Sequence, residues 1–288
     1  MYTPVLTHDL AGRIERARVN ASVARHSEIQ RMEGNALGIE VRQFGGRVSA
    51  RLVHQNLAYY PYFNGPLDVR AEDEPHVPEM VSWYREQQRP CFFRISPFFC
   101  SDNLLATLAN SGLRQSGFMT LLYGALDPAD TDLPEAIKGN SLIGPSEIAV
   151  AVEESPNYEH FPDLWTAGAP EAEIPLRQTL AKAEFALWRC YVGFVDGRPA
   201  AHAGLFVDAE TGTAMLAAAA TLPEFRGRGC QTTLLQRRLA DAAAAGATLA
   251  IAEASPGSIS QRNMERTGLR TAYTKAIWTW EPPRSADL

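Results

Sequence analysis

The chain has 288 residues, 45% of them hydrophobic, and a formal net charge of -6. That is apolar material for two cores of ordinary size. The acidic balance argues against a general role on nucleic acid or an anionic membrane, since both need a basic face. Four cysteines and six histidines are scattered without CxxC or paired spacing, so no zinc signature is present and free thiols are expected. No uninterrupted apolar run reaches the roughly 18 residues that suggest a membrane span. The opening MYTPVLTHDLAGRIERARVN is charged early and lacks an apolar signal segment. The expected setting is cytoplasmic, without membrane or nucleic-acid partners, as a monomer or homodimer.

Residues 9–32 predict a helix with Leu10, Ile14, Ala17, Val23 and Ala24 on a loose apolar face. GIEVRQFGGRVSARLV predicts two strands turning at Gly45-Gly46. NLAYYPYFNGPLDVR, interrupted by Pro61, Gly65 and Pro66, reads as an aromatic loop. PEMVSWYREQQ is a short helix, PCFFRISPF a strand, NLLATLANSGL a helix closed by Gly112, and GFMTLLYGAL a strand. The first domain is therefore expected over residues 1–126. DPADTDLPEAIKGN, residues 127–140, is rich in Pro and Asp and reads as a linker.

A second α/β unit is expected over 141–288. EIAVAVEE is a strand, and NYEHFPDLWTAG and the segment 170–185 are helical. Residues 188–222 read as three antiparallel strands turning at Asp196-Gly197 and Thr211-Gly212. A helix with Leu235, Leu239 and Ala242 on one face ends at Gly246, then come a strand (TLAIAEAS), a helix (GSISQRNMERTG) and a final strand (TAYTKAIWTWE). Both halves close on strand, helix, Gly-Leu and an aromatic-containing strand, which reads as an internal repeat.

The segment PEFRGRGCQTTLLQRRL, residues 223–239, concentrates Arg226, Gly227, Arg228 and Gly229 where a helix begins. A helix start offers unpaired N–H groups and partial positive charge. Glycines let an anion approach the backbone, and arginines add charge-assisted bonds. The order strand, turn, helix suits a pyrophosphate; a solvated turn is the other reading of these residues alone. Neither GxxxxGK[ST] nor GxGxxG is present.

In this context the second half resembles the GNAT superfamily of acetyl-CoA-dependent N-acetyltransferases. Its acyl-CoA motif, Arg/Gln-x-x-Gly-x-Gly/Ala, is matched by Arg226, Gly227, Arg228, Gly229 and Cys230, and SISQRNMERTGLRTAY resembles the family's last helix and strand. The first half resembles a diverged domain of the same kind without the motif. The resemblance implies an α/β fold of two GNAT-like domains, each a central, mostly antiparallel sheet flanked by helices. It implies acetyl-CoA as co-substrate and a small-molecule or peptide amine as acceptor.

For the cofactor it points to Ala219, Ala220 and Thr221 along the strand, to Arg226, Gly227, Arg228, Gly229, Cys230, Gln231 and Thr232 at the turn, and to Ser260 and Asn263 on the last helix. Gln231 replaces the motif's final Gly/Ala, and Met264 stands where many relatives carry the tyrosine that protonates the leaving thiolate. Tyr273 is the replacement acid considered. Glu253, sharing parity with Leu249 and Ile251 at a strand end, is the expected base. His202 reads as a core histidine and Cys230 as packing. Tyr62, Phe63 and Asn64 are expected to shape the acceptor pocket. Two other readings stay open: a transferase using another short acyl-CoA, and a non-catalytic acyl-CoA-binding protein.

Overall fold

The computed structural model describes residues 3–53, 63–127, 141–143, 149–155, 157–166 and 169–283. All but the first residue of the expected linker lies outside them. In chain order the elements are α1 (His8–Gln30), β1 (Ile39–Phe44), β2 (Arg47–Leu52), β3 (Gly65–Pro66), α2 (Val77–Glu86), β4 (Cys91–Ile95), α3 (Asp102–Asn110) and β5 (Arg114–Ala125). There follow β6 (Ser141–Ile143), β7 (Ala149–Ser155), α4 (Pro162–Thr166), α5 (Ile174–Leu180), β8 (Trp188–Val195), β9 (Arg198–Asp208) and β10 (Thr213–Thr221). The chain closes with α6 (Cys230–Ala244), β11 (Leu249–Ala254), α7 (Ile259–Arg266) and β12 (Arg270–Trp280).

Two compact units form: Met1–Glu28 with Thr120–Ala272, and Ile29–Met119 with Tyr273–Leu288. Their division differs from the expected halves at 1–126 and 141–288. The first helix and the end of β5 join the later half, and most of the last strand joins the earlier one. The strand-helix-strand order recurs as β4-α3-β5 and β11-α7-β12, with β5 antiparallel to β11 and β12 antiparallel to β4.

Unit 1 is built on a sheet ordered β5-β11-β10-β9-β8-β7-β6. Within it β10 and β11 are parallel, and the other neighbours are antiparallel. The β8–β9 turn carries Asp196 at φ 52° and Gly197 at φ 72°, the paired positive values a two-residue hairpin requires. Helix α6 connects β10 to its parallel neighbour β11 and buries Cys230, Leu234, Leu235, Arg238 and Ala242. The apolar ones pack with Ala214, Leu216, Ala250, Ala252 and Ala254 in one core; burying each leucine is worth about 1.5–3 kcal/mol.

Leu249, Ile251 and Glu253 have the opposite parity on β11, toward α1. The Arg13 guanidinium of α1 donates to Gly212 O (2.8 Å), Thr248 Oγ1 (2.7 Å) and Thr213 Oγ1 (3.1 Å). The α1 face that packs is Ala11, Ile14, Ala17 and Ala21, with Glu15 and Arg18 buried among them. Leu10 and Val23 are only partly covered. The expected helices over 157–168 and 170–185 shrink to α4 and α5. Pro162, Pro170 and Pro175 punctuate that stretch, and Asn157 Oδ1 accepts the Glu159 N–H (3.1 Å) in a local turn that competes with helix.

Unit 2 holds the three-stranded sheet β1-β2-β3 and the pair β4-β12. Its core gathers Met80, Trp83, Tyr84, Phe93, Leu104 and Leu108. Gly65 is required by close approach, since a Cβ there would lie 2.1 Å from Phe92 O.

Candidate acyl-CoA site

The ladder between β10 and β11 runs from Thr213↔Leu249 to Leu216↔Ala252 and stops. Both strands continue, β10 to Thr221 and β11 to Ala254. On its other side β10 stays on β9, with the register shifting between Ala217 and Ala220. The bulge places Ala218 at φ 51°, unusual for a residue with a Cβ. Ala218 and Ala219 stand in neither ladder and are exposed. The end of β10 thus offers an open strand edge lined with methyl groups. An extended chain with amide groups pairs with such an edge through main-chain hydrogen bonds. Ala219, Ala220 and Thr221 lie along it.

Beyond this edge, a 3-10 turn at Pro223–Phe225 leads into the Arg-Gly segment. Gly227 sits at φ 78° and Gly229 at φ 85°. Nothing lies within 4 Å of a Cβ built on Gly227, so backbone conformation rather than packing requires glycine there. Gly229 is the N-cap of α6 and supplies no side-chain cap. Among the described residues, the N–H groups from Gly227 to Thr232 find no backbone acceptor; the first intrahelical-type bond is Thr233 N to Gly229 O (3.0 Å). Successive N–H groups in turns alternating with left-handed glycines form an anion-binding concavity, and the helix dipole adds to it.

The two arginines differ. Arg228 approaches Asp196 (3.9 Å) and lies over the Phe225 ring (5.5 Å). Arg226 is exposed and in no ion pair among the described residues. Cys230 is buried, its thiol 3.8 Å from Phe225 O. Burial pushes that thiol up, only partly opposed by its own N–H and Arg228, as befits packing rather than a nucleophile. Gln231 and Thr232 line the first turn of α6, half-buried.

The expected base is held elsewhere. Glu253 points where its parity predicted, but α1 covers that face. Its Oε1 lies 3.8 Å from Arg18 Nε, which also donates to Glu15 Oε2 at 2.9 Å, all three side chains being at most 8% exposed. Glu253, expected as a base on an apolar face at a strand end, stands in a buried ionic network with Arg18 and Glu15. Tyr273 is buried in unit 2, its ring 5.3 Å from that of Phe98. Met264 is buried in the core of unit 1. On α7, the side chain of Asn263 accepts from Arg266 Nη1 (3.1 Å), Ser260 is half-buried, and the cap is Ser258.

His202 is buried beside the bulge, between the rings of Tyr158 (5.2 Å) and Trp165 (4.8 Å). Burial, and then the Arg177 and Arg238 cations, lower its pKa to about 3, so it is neutral near pH 7. Of the expected acceptor residues, Tyr62 lies outside the described residues. Phe63 and Asn64 are buried in unit 2, where Asn64 Oδ1 accepts the Leu52 N–H (2.9 Å) and Asn64 O the Phe92 N–H (2.8 Å).

An open strand edge leading into a helix start with unpaired N–H groups suits a ligand that carries an amide-bearing arm and an anionic group. Residues 156–268 match the acetyltransferase (GNAT) family, and the chain carries a GNAT acetyltransferase domain over that span. Enzymes of this family take their acyl group from acyl-CoA. No curated protein matches. Solved structures agree on the fold. The GCN5-related N-acetyltransferase from Kribbella flavida is 18% identical with a TM-score of 0.52, covering 92% of this chain and 98% of its own. A tandem GNAT protein from the clavulanic acid biosynthesis pathway is 17% identical with a TM-score of 0.53, covering 86% and 85%. The GCN5-related N-acetyltransferase from Sphaerobacter thermophilus is 14% identical with a TM-score of 0.52, covering 100% and 96%. Among the described residues no helix is long and apolar enough to cross a membrane.

Two features escaped the sequence reading. One is the bulge in an unbroken alanine run. The other is Arg238, 1% exposed, which lies on the buried i, i+4 stripe Cys230–Leu234–Arg238–Ala242; that spacing was the available signal.

Proposed function

We propose that unit 1 transfers the acetyl group of acetyl-CoA to a primary amine of a small molecule or peptide by direct attack. The observation carrying this reading is the run of unpaired N–H groups from Gly227 to Thr232 at the end of the open β10 edge. The turn and Arg226 hold the pyrophosphate. The edge from Ala219 to Thr221 pairs with the amide-bearing arm and brings the thioester to the bulge. The amine nitrogen bonds to the acetyl carbon, the carbon–sulfur bond breaks, sulfur leaves with the electron pair, and the ammonium proton passes to solvent. Backbone N–H groups at the bulge polarise the carbonyl as negative charge develops on its oxygen.

One donor site per chain follows from unit 2. There the corresponding strand-to-helix entry after β3 is filled by the chain's own carboxylates. Asp73 Oδ2 accepts the Arg70 N–H (2.8 Å) and pairs with Arg47 Nε (2.5 Å), while Asp68 pairs with Arg70. A second reading, binding of acyl-CoA without turnover, draws on Met264 and on the engagement of Glu253 with Arg18. The test is calorimetry with CoA, followed by thiol release from acetyl-CoA across an amine panel. Binding with no release for any amine favours the second reading, and absence of binding overturns both.

A further inference from the structure

The positive charge nearest the bulge belongs to neither arginine of the turn. Arg238, on α6, is 1% exposed and has no carboxylate partner among the described residues. Its Nε donates to Leu234 O (3.0 Å), and its Nη1 to Gly204 O (3.0 Å) and Ala217 O (3.3 Å). Its Nη2 is buried with no acceptor. An isolated charge is expensive to remove from water, and Coulomb interactions around it are strong because the surroundings are weakly polarisable. A methionine or leucine would fill the same stripe of α6 without that cost, so packing alone gives no reason for a guanidinium here.

What the guanidinium touches supplies the reason. Gly204 and Ala217 are register partners, the last pair before the ladder shifts. The Ala217 carbonyl belongs to the same peptide unit as the Ala218 N–H. Ala218 is the positive-φ residue that leaves both ladders at the open edge. A cation bonded to a peptide carbonyl draws electron density from that unit and makes its N–H a stronger donor. It also pins the carbonyl of the last residue paired before the bulge.

We propose, building on the acyl-CoA reading above, that Arg238 is a positioning residue for acyl transfer. From the face opposite the ligand it holds the Ala217–Ala218 peptide and polarises it toward the thioester carbonyl. Arg238 touches neither donor nor acceptor and acts only through the backbone. The peptide N–H and the fixed charge then favour the oxygen as it becomes negative, more than they favour the resting thioester.

The test uses the full chain and acetyl-CoA labelled with carbon-13 at the carbonyl. Infrared difference spectra should show the bound carbonyl stretch below its value in water for the wild-type protein. In Arg238→Leu and Arg238→Gln the stretch should move back toward the solution value, and kcat should fall by about ten- to a hundredfold, below the ~10²–10³ for losing a direct donor. Affinity for CoA without the acetyl group should stay within a few-fold, because the turn is untouched. Arg238→Lys, keeping the charge, should retain an intermediate shift. A role in packing alone would lower the melting temperature and leave the stretch and kcat of the folded variants unchanged, which would overturn the proposal. So would a wild-type stretch equal to that in water, a result that needs no variant to fold. Wild-type protein that fails to bind CoA at all would instead remove the acyl-CoA reading on which the proposal rests.

Discussion

Glu253 Oε1 lies 3.8 Å from Arg18 Nε, and Arg18 Nε also donates to Glu15 Oε2 at 2.9 Å. Strand β11 and helix α1 are thereby joined by charge in a setting almost free of water. Glu253→Gln would remove one partner from this network. Because Arg18 keeps Glu15, the cost should be ~1–3 kcal/mol of stability rather than the 3–5 of a fully orphaned buried charge. If Glu253 is structural, kcat in the folded variant should change by less than tenfold, against the ~10²–10⁴ expected of a general base. Denaturant midpoints and steady-state kinetics on the same preparation decide. Unchanged stability with a hundredfold loss of kcat would return Glu253 to the mechanism.

Arg226→Ala should weaken CoA binding by roughly ten- to a hundredfold, the worth of one charge-assisted contact at ~1.5–3 kcal/mol. Gly227→Val tests the backbone itself. Its Cβ meets no atom within 4 Å, so any loss comes from forcing a β-branched residue to φ 78°, at ~1–2 kcal/mol. Calorimetry should find both variants weakened for CoA and neither altered in the far-ultraviolet dichroism. Full retention of affinity would leave the turn a solvated loop.

His202 makes stability depend on pH. Its pKa falls from 6.5 in the unfolded chain to about 3 in the fold. Between those values the unfolded chain binds the proton and the fold does not, so stability is retained above pH 6.5 and lost as pH drops toward 3. At pH 5 the penalty is about 2 kcal/mol. His202→Gln should shed this term. The drop in unfolding free energy between pH 7 and pH 5 should be smaller in the variant by about that amount, and equal drops would show that His202 does not carry it.

CoA should bind with a stoichiometry of one per chain. In unit 2, Asp73 answers the Arg70 N–H and the Arg47 guanidinium, so an incoming phosphate would displace a carboxylate already in place. Asp73→Asn removes the carboxylate paired with Arg47; it should cost about 1–3 kcal/mol of stability and leave the stoichiometry at one. Two equivalents bound by the unaltered protein would be incompatible with this division.

Local rules carried much of the fold. Asp196-Gly197 marked its hairpin, Gly246 its helix end, and the spacing of Leu235, Leu239 and Ala242 marked α6. The Arg-Gly turn was visible because glycine and arginine there are unusual in an acidic chain. What stayed hidden was set by partners distant in sequence. Glu253 reads as a strand-end acid until Arg18, from the opposite end of the chain, covers it. The aromatic loop around Phe63 and Asn64 suggested a pocket because it lacks periodicity, yet Asn64 satisfies backbone groups of β2 and β4. Ala218 escaped because nothing in four consecutive alanines marks the residue that takes the left-handed conformation.

The pairing of β5 with β11 and of β12 with β4 also bears on synthesis. Helix α1 leaves the ribosome before the rest of its unit, which extends to residue 272; unit 2 begins at Ile29 and is completed only by β12. At roughly 5–20 residues per second, α1 waits on the order of ten to fifty seconds for the rest of its unit. Throughout that interval Ala11, Ile14, Ala17 and Ala21 lack their packing surface. Neither core is complete until β11 and β12 have been made. A chain cut between the halves would therefore yield two pieces, each lacking part of a unit.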